Sequence, residues 1–278
     1  MILNQKVLTY KGFVVFEKIE MSSFQRIPKL FQENEACFMF VNKGAFSVRT
    51  SDQFISFKKG KGLLAKCFDY FFEMNHKQRD ENTTVEAVGV LLYPSLIKEL
   101  FQFDVADSSY QVDFNMKSVE IAGLLQSFQE GINILLENPE LADELLIQTK
   151  IKEFVLLMSK IQNAPSELDF LAAMFQKKDT LFVDVIAKNL YSNLSISEFA
   201  HLSGLSVSSF KRKFNAVFEV SPKKYINQKK LEKAAQLLKL KEIRISEIAY
   251  DCGFDSITSF NRLFKSHFGM SPSKYSAR

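Results

Sequence analysis

Apolar and polar positions follow three successive rhythms along this chain, and each rhythm predicts a different kind of element. Up to about residue 93 the apolar residues come in short β-type runs: Phe13–Phe16, Cys37–Val41, Ala45–Arg49, Phe54–Phe57, Leu63–Ala65, Tyr70–Glu73 and Val85–Tyr93. Turn signals separate several of them, at Asn42-Lys43-Gly44, Ser51-Asp52 and Lys58-Lys59-Gly60. Seven or eight short strands with tight turns predict a β-sandwich or barrel. From residue 118 to 163 the spacing lengthens. Ile121, Leu125, Phe128, Ile132 and Leu135 step by four and three, and after Asn138-Pro139 the step returns at Ile147, Ile151, Phe154 and Met158. This is the spacing of two helices, each with one apolar seam. Such seams either cover the barrel of the same subunit or meet a second copy of the chain, and these nine residues are the candidates for a dimer interface. Ala164-Pro165-Ser166-Glu167 then breaks the helix, and residues 166–178 read as a connector made partly apolar by Phe170, Leu171, Met174 and Phe175.

The third rhythm is a phenylalanine every fourth residue, and it occurs twice. Phe210, Phe214 and Phe218 recur as Phe260, Phe264 and Phe268, inside a longer duplication. Ile196-Ser197-Glu198-Phe199-Ala200 through Ser221-Pro222-Lys223-Lys224-Tyr225 returns as Ile245-Ser246-Glu247-Ile248-Ala249 through Ser271-Pro272-Ser273-Lys274-Tyr275. Fifteen positions are identical once one extra residue is allowed after Gly253. A duplication of this length implies one supersecondary device used twice. Each copy reads as a short helix, a glycine turn (Gly204 or Gly253), a Ser-containing cap and a second helix with its rings on one face.

The opposite face of that second helix carries Ser208, Lys211, Arg212 and Asn215 in the first copy, and Thr258, Asn261, Arg262 and Lys265 in the second. Together with Ser209 and Ser259 these are the candidate DNA-binding residues, because such side chains reach phosphates and base edges. A helix, a glycine turn and a helix with an aromatic back and a basic front make the helix-turn-helix pattern. Between the copies, Ser221-Pro222 caps and opens a helix that runs to about Lys239 without further Gly or Pro. A rod of that length is about 27 Å long, of the order of the roughly 34 Å between successive major grooves on one side of B-DNA.

Charge changes the picture in one respect. Residues 178–278 hold 17 Lys/Arg against 9 Asp/Glu, while the remainder holds 19 against 23. A chain of net charge +4 is therefore split into a basic end, suited to a polyanion, and a slightly acidic body. Cys37, Cys67 and Cys252 have no metal-binding spacing and leave an odd thiol, which fits a reduced cytoplasm. No apolar run approaches 18 residues, and no signal peptide is expected. The barrel region has only His76 as an imidazole, and no Ser/His/Asp set, phosphate-cradling glycine loop or Cys pair is evident, so no catalytic, metal or cofactor site is expected.

Residues 179–278 resemble the DNA-binding domain of the AraC/XylS family of bacterial transcription regulators. The resemblance rests on Gly253-Phe254, then Ser259-Phe260-Asn261-Arg262-Leu263-Phe264-Lys265, then Gly269-Met270-Ser271-Pro272. Three positions depart from the family pattern: Glu219 stands opposite Gly269, Lys230 replaces a usual Arg, and Ser276 follows Tyr275 where Arg is common. The strand order before residue 93 resembles the cupin-like sensor domain often fused to such domains.

The fold class expected is therefore α+β. A cupin-like barrel or sandwich with a helical hairpin (1–165, helices about 117–163) precedes a linker (166–178) and an all-α domain with two helix-turn-helix motifs on a long helix (179–278). The resemblance implies a cytoplasmic, DNA-binding activator reading two successive major grooves. Its partners would be promoter DNA, RNA polymerase, a small-molecule or protein effector at the N-terminal domain, and a second copy of the chain. Two rivals stand beside this reading: a ligand-binding or catalytic cupin with a DNA-binding tail, and an interaction module held by an antagonist protein. Non-specific nucleic-acid coating is a third.

Overall fold

The structure, a computed structural model, describes residues 2–30, 34–74, 83–102, 110–176, 180–240 and 243–277. The chain divides into two compact units, one of Met1–Thr50 with Phe54–Asp179 and one of Ser51–Gln53 with Thr180–Arg278. Among the described residues no helix is long and apolar enough to cross a membrane.

The first unit is built on two antiparallel sheets. The strands are β1 (Ile2–Tyr10), β2 (Phe13–Ser22), β3 (Arg26–Pro28), β4 (Ala36–Lys43), β5 (Ala45–Arg49), β6 (Phe54–Lys58), β7 (Lys61–Ala65), β8 (Phe71–Glu73), β9 (Thr84–Leu92) and β10 (Met116–Glu120). One sheet has the order β1-β2-β9-β4-β7-β10 and the other β3-β8-β5-β6. Central strands read as near-continuous apolar runs because both faces are covered: Val85, Ala87, Val88, Val90, Leu91 and Leu92 of β9 are all buried. The edge strand β1 is largely exposed and carries Asn4, Gln5 and Lys6 between apolar residues. Helices follow at α1 (Pro94–Phe101), α2 (Leu124–Glu137), α3 (Glu144–Ile161) and α4 (Glu167–Phe175). Phe154 of α3 lies 5.4 Å from Phe38 and 5.5 Å from Phe128 of α2, ring centre to ring centre. Phe128 in turn packs on Phe16 and Phe40. One aromatic wedge thus joins the two helices to the large sheet.

That packing corrects the interface expected from the helical seams. Leu125, Phe128, Ile132, Leu135, Ile147, Ile151, Phe154 and Met158 are all buried in the core of their own subunit. Ile121 lies before α2, not in it, and packs partly buried against the same core. A side chain already enclosed by its own barrel offers nothing to a second chain. The stretch expected as a connector is also different. Ser166 caps α4 by accepting the Asp169 N–H, and Phe170, Leu171, Ala172, Ala173 and Met174 are buried in the first unit.

The second unit is helical: α5 (Phe182–Asn189), α6 (Ile196–Leu202), α7 (Val207–Phe218), α8 (Pro222–Leu240), α9 (Ile245–Asp251), α10 (Ile257–Phe268) and α11 (Pro272–Ser276). The α+β class expected from the three rhythms is the one observed.

Candidate nucleic-acid interface

The duplicated sequence folds twice into the same local device. At the end of α6, Gly204 adopts φ 62°, its N–H bonds to the His201 carbonyl, and the Leu205 N–H bonds to the Ala200 carbonyl. At the end of α9, Gly253 adopts φ 79°, its N–H bonds to the Tyr250 carbonyl, and the Phe254 N–H bonds to that of Ala249. Both are left-handed glycine caps that close one helix and redirect the chain into the next. Ser206 and Ser256 then start α7 and α10, each accepting a backbone N–H three residues on, from Ser209 and Ser259. The first helix of the first copy has a full capping box between Ser195 and Glu198, whereas α9 starts at Arg244 without a side-chain cap.

The aromatic repeat supplies the backing. Phe210 and Phe214 are fully buried, with Phe218 packed on Phe214 at 4.4 Å and Tyr225 of α8 on Phe218 at 4.6 Å. The second copy matches: Phe260 and Phe264 are fully buried, Phe268 lies 4.5 Å from Phe264, and Tyr275 of α11 is 5.3 Å from both. Each Ser-Pro-x-Lys-Tyr segment therefore returns a tyrosine to the back of the helix before it. This orients the polar front outward.

On that front Ser208, Lys211, Arg212 and Asn215 are exposed on α7, and Thr258, Asn261, Arg262 and Lys265 on α10. Ser209 and Ser259 differ. They are half-buried, and their backbone N–H groups serve the caps. Among the described residues neither Arg212 nor Arg262 has a hydrogen-bond or ion-pair partner. Two equivalent, unpaired guanidiniums on matched helices can grip phosphate or the O6/N7 edge of guanine.

The helix α8 joins the copies over 19 residues, a rod of about 28 Å. Glu219, standing where the second copy has Gly269, takes the same left-handed turn with φ 57° against 74°. That backbone costs a residue with a side chain about 1–2 kcal/mol. Lys230 is not on the solvated face that its lysine neighbours suggest. It is buried, and its Nζ donates to the Gly253 carbonyl at 2.7 Å. Burial pushes its ammonium down to about 8, against the opposing pull of Asp255 and Cys252.

Sequence reading missed the buried polar clusters of the first unit, in one of which Glu73 pairs with both Arg26 and Arg49. Lys29 pairs with the buried Glu35 at 2.9 Å, and the Cys37 thiol meets the Tyr70 hydroxyl at 3.1 Å. Burial pushes both the Cys37 thiol and the Tyr70 hydroxyl up, so the thiol stays protonated and unreactive. No periodic pattern marks Lys29 or Glu35, which lie outside the strands and meet only through the fold. Among the described residues no group of three or more His, Cys, Asp and Glu gathers as metal ligands, and His76 lies outside the described residues.

The chain is similar to several known proteins. A helix-turn-helix domain model matches residues 199–278. The virulence regulon transcriptional activator VirF of Yersinia enterocolitica is 24% identical over 264 residues, covering 93% of this chain and 95% of that protein. The thermoregulatory protein LcrF of Yersinia pestis is 23% identical over the same shares. The helix-turn-helix-type transcriptional regulator ExsA of Pseudomonas aeruginosa is 27% identical over 153 residues, 54% of each chain. With the signature residues seated on two matched helices, the chain carries a helix-turn-helix domain and is similar along nearly its full length to known transcription regulators.

Proposed function

We propose that the protein activates transcription by reading two successive major grooves of a promoter with a single chain, under control of its N-terminal unit. The observation that carries this reading is the pair of exposed arginines, Arg212 and Arg262, without a partner among the described residues and at equivalent places on a duplicated, aromatic-backed helix. Ser208, Lys211 and Asn215 support the first contact, and Thr258, Asn261 and Lys265 the second. Ser209 and Ser259 act on DNA chiefly by holding the helix starts. Activation is favoured because relatives aligning along the chain are named as activators, and it makes RNA polymerase a partner. Control comes from a small-molecule or protein effector at the first unit. The test is affinity for a selected promoter duplex against a scrambled one at matched salt. Specific reading gives a preference of about 10³-fold or more; equal affinity for both would return the protein to non-specific coating.

Self-association is the second part of the reading, moved to a different surface. Leu124 and Ile134 of α2 and Leu145 and Leu156 of α3 are large apolar side chains left exposed on the outward side of the helices, Leu124 and Leu145 more than 70% so. Burying such groups against a second copy gains about 25 cal/mol per Å². Leu145→Glu is expected to convert a dimer to the 31.9 kDa single chain in light scattering, with an unchanged circular dichroism spectrum. A single-chain mass before substitution, or a dimer that survives it, would contradict this.

A further inference from the structure

The two copies of the device also differ in the setting of their turn glycines. The turn glycine of the first copy, Gly204, is exposed, whereas its counterpart Gly253 is buried. A Cβ placed on Gly253 would lie 2.3 Å from the Tyr191 carbonyl oxygen and 2.7 Å from that of Ser192. Tyr191 and Ser192 belong to the segment between α5 and α6, on the first reading head. Backbone of one head therefore lies directly against backbone of the other, at a distance only glycine allows. The Gly253 carbonyl is in turn held by Lys230 Nζ from the rod between the heads, at 2.7 Å. Near it on α8, Lys233 Nζ sits 4.0 Å from the centre of the Tyr191 ring. The α5–α6 segment, α8 and the α9–α10 turn thus converge on one small junction.

We propose that Lys230 is a positioning residue that fixes the separation and relative orientation of the two recognition helices by clamping the Gly253 turn to the connecting rod. The proposal rests on the one-chain, two-groove reading above. An ammonium taken out of water is costly, and such groups are in some systems retained because they specify one geometry. The glycine turn itself does not require such a contact, since the first copy makes the same turn in an exposed setting. Joining two binding events on one frame raises affinity by effective concentration, and the gain disappears when the frame cannot present both sites together. A loosened junction therefore costs joint binding while each head keeps its own grip on DNA.

The experiment compares the full chain and its Lys230→Met and Lys230→Arg variants on three duplexes chosen from a random library. One carries both half-sites, one a single half-site, and one both half-sites with two base pairs inserted between them. The wild type is expected to favour the paired duplex over the single one by about 10²-fold or more and to lose most of that on insertion. Lys230→Met is expected to bind the single half-site as the wild type does, to lose about tenfold or more of the paired advantage, and to be insensitive to the insertion. Lys230→Arg, which keeps the charge and the donor, is expected to retain the advantage. A wild type with no paired advantage would overturn the one-chain reading. A wild-type advantage kept whole in Lys230→Met, or a loss equal on single and paired duplexes, would overturn the role of Lys230 alone. Should Lys230→Met fail to fold, Tyr191→Ala removes the ring that meets Lys233 at the same junction and is read identically. It is expected to lower the paired advantage alone, and no change would count against the clamp.

Discussion

Phe264→Ala is expected to cost about 3–5 kcal/mol of the stability of the DNA-binding unit, the range for removing a buried aromatic ring. Phe264 is fully buried, and its ring meets Phe260 at 5.4 Å, Phe268 at 4.5 Å and Tyr275 at 5.3 Å. Its removal deletes the apolar transfer energy and leaves a void among rings that are themselves held by their neighbours. A domain of this size has about 5–15 kcal/mol in all, so the loss is a large fraction of the total. The midpoint of thermal unfolding should fall by roughly 10 °C or more, and DNA binding should fall with it at temperatures near the new midpoint. A melting curve that coincides with the wild type would show that these rings do not form the second head's core.

Replacing both reading arginines, Arg212→Ala with Arg262→Ala, should do the reverse: leave the melting curve in place and abolish most of the affinity. A good bidentate base contact is worth about 1–3 kcal/mol, and the two arginines sit on separate helices with no shared partner among the described residues, so their effects are expected to add. The double variant should thus weaken binding by about 2–6 kcal/mol. Single variants distinguish the two kinds of contact. Where the arginine grips a phosphate, its removal lowers the slope of log affinity against log salt by about 0.9, equally on every sequence. Where it reads a base, its removal keeps most of the slope but relaxes one position of the recognised site. Footprint and affinity unchanged at matched salt would remove these residues from the interface.

The second unit is legible in the sequence because its signals are local. Glycine at the turn, serine at the cap and phenylalanine at every fourth position each act within a few residues, and the duplication lets one copy check the other. Arg212 and Arg262 can be placed on the front because Phe210 and Phe260 define the back. Less can be read where long-range packing decides. The seam at Leu125, Phe128, Ile147 and Phe154 has the same spacing whether it faces a barrel or a partner, and only Phe38 and Phe40 beneath it settle the matter. The strand β1 is polar over Asn4, Gln5 and Lys6 and lacks the apolar run that marks a central strand. The strand β10 is five residues long with two buried side chains, too short a pattern to separate from the helices that follow. Helix α4 begins at a break signal, Pro165-Ser166, that also serves as a helix start. Lys230 lies in a lysine-rich stretch, and nothing in its spacing distinguishes this buried ammonium from its neighbours.

Two matched heads on one stiff helix make a geometric statement that DNA itself can test. Selection of bound duplexes from a random library, followed by stoichiometry on the winners, measures it directly. Two short half-motifs with centres about 10 base pairs apart, occupied by one chain, is the predicted result. A single unbroken motif, or paired motifs that fill only when a second chain binds, would contradict it.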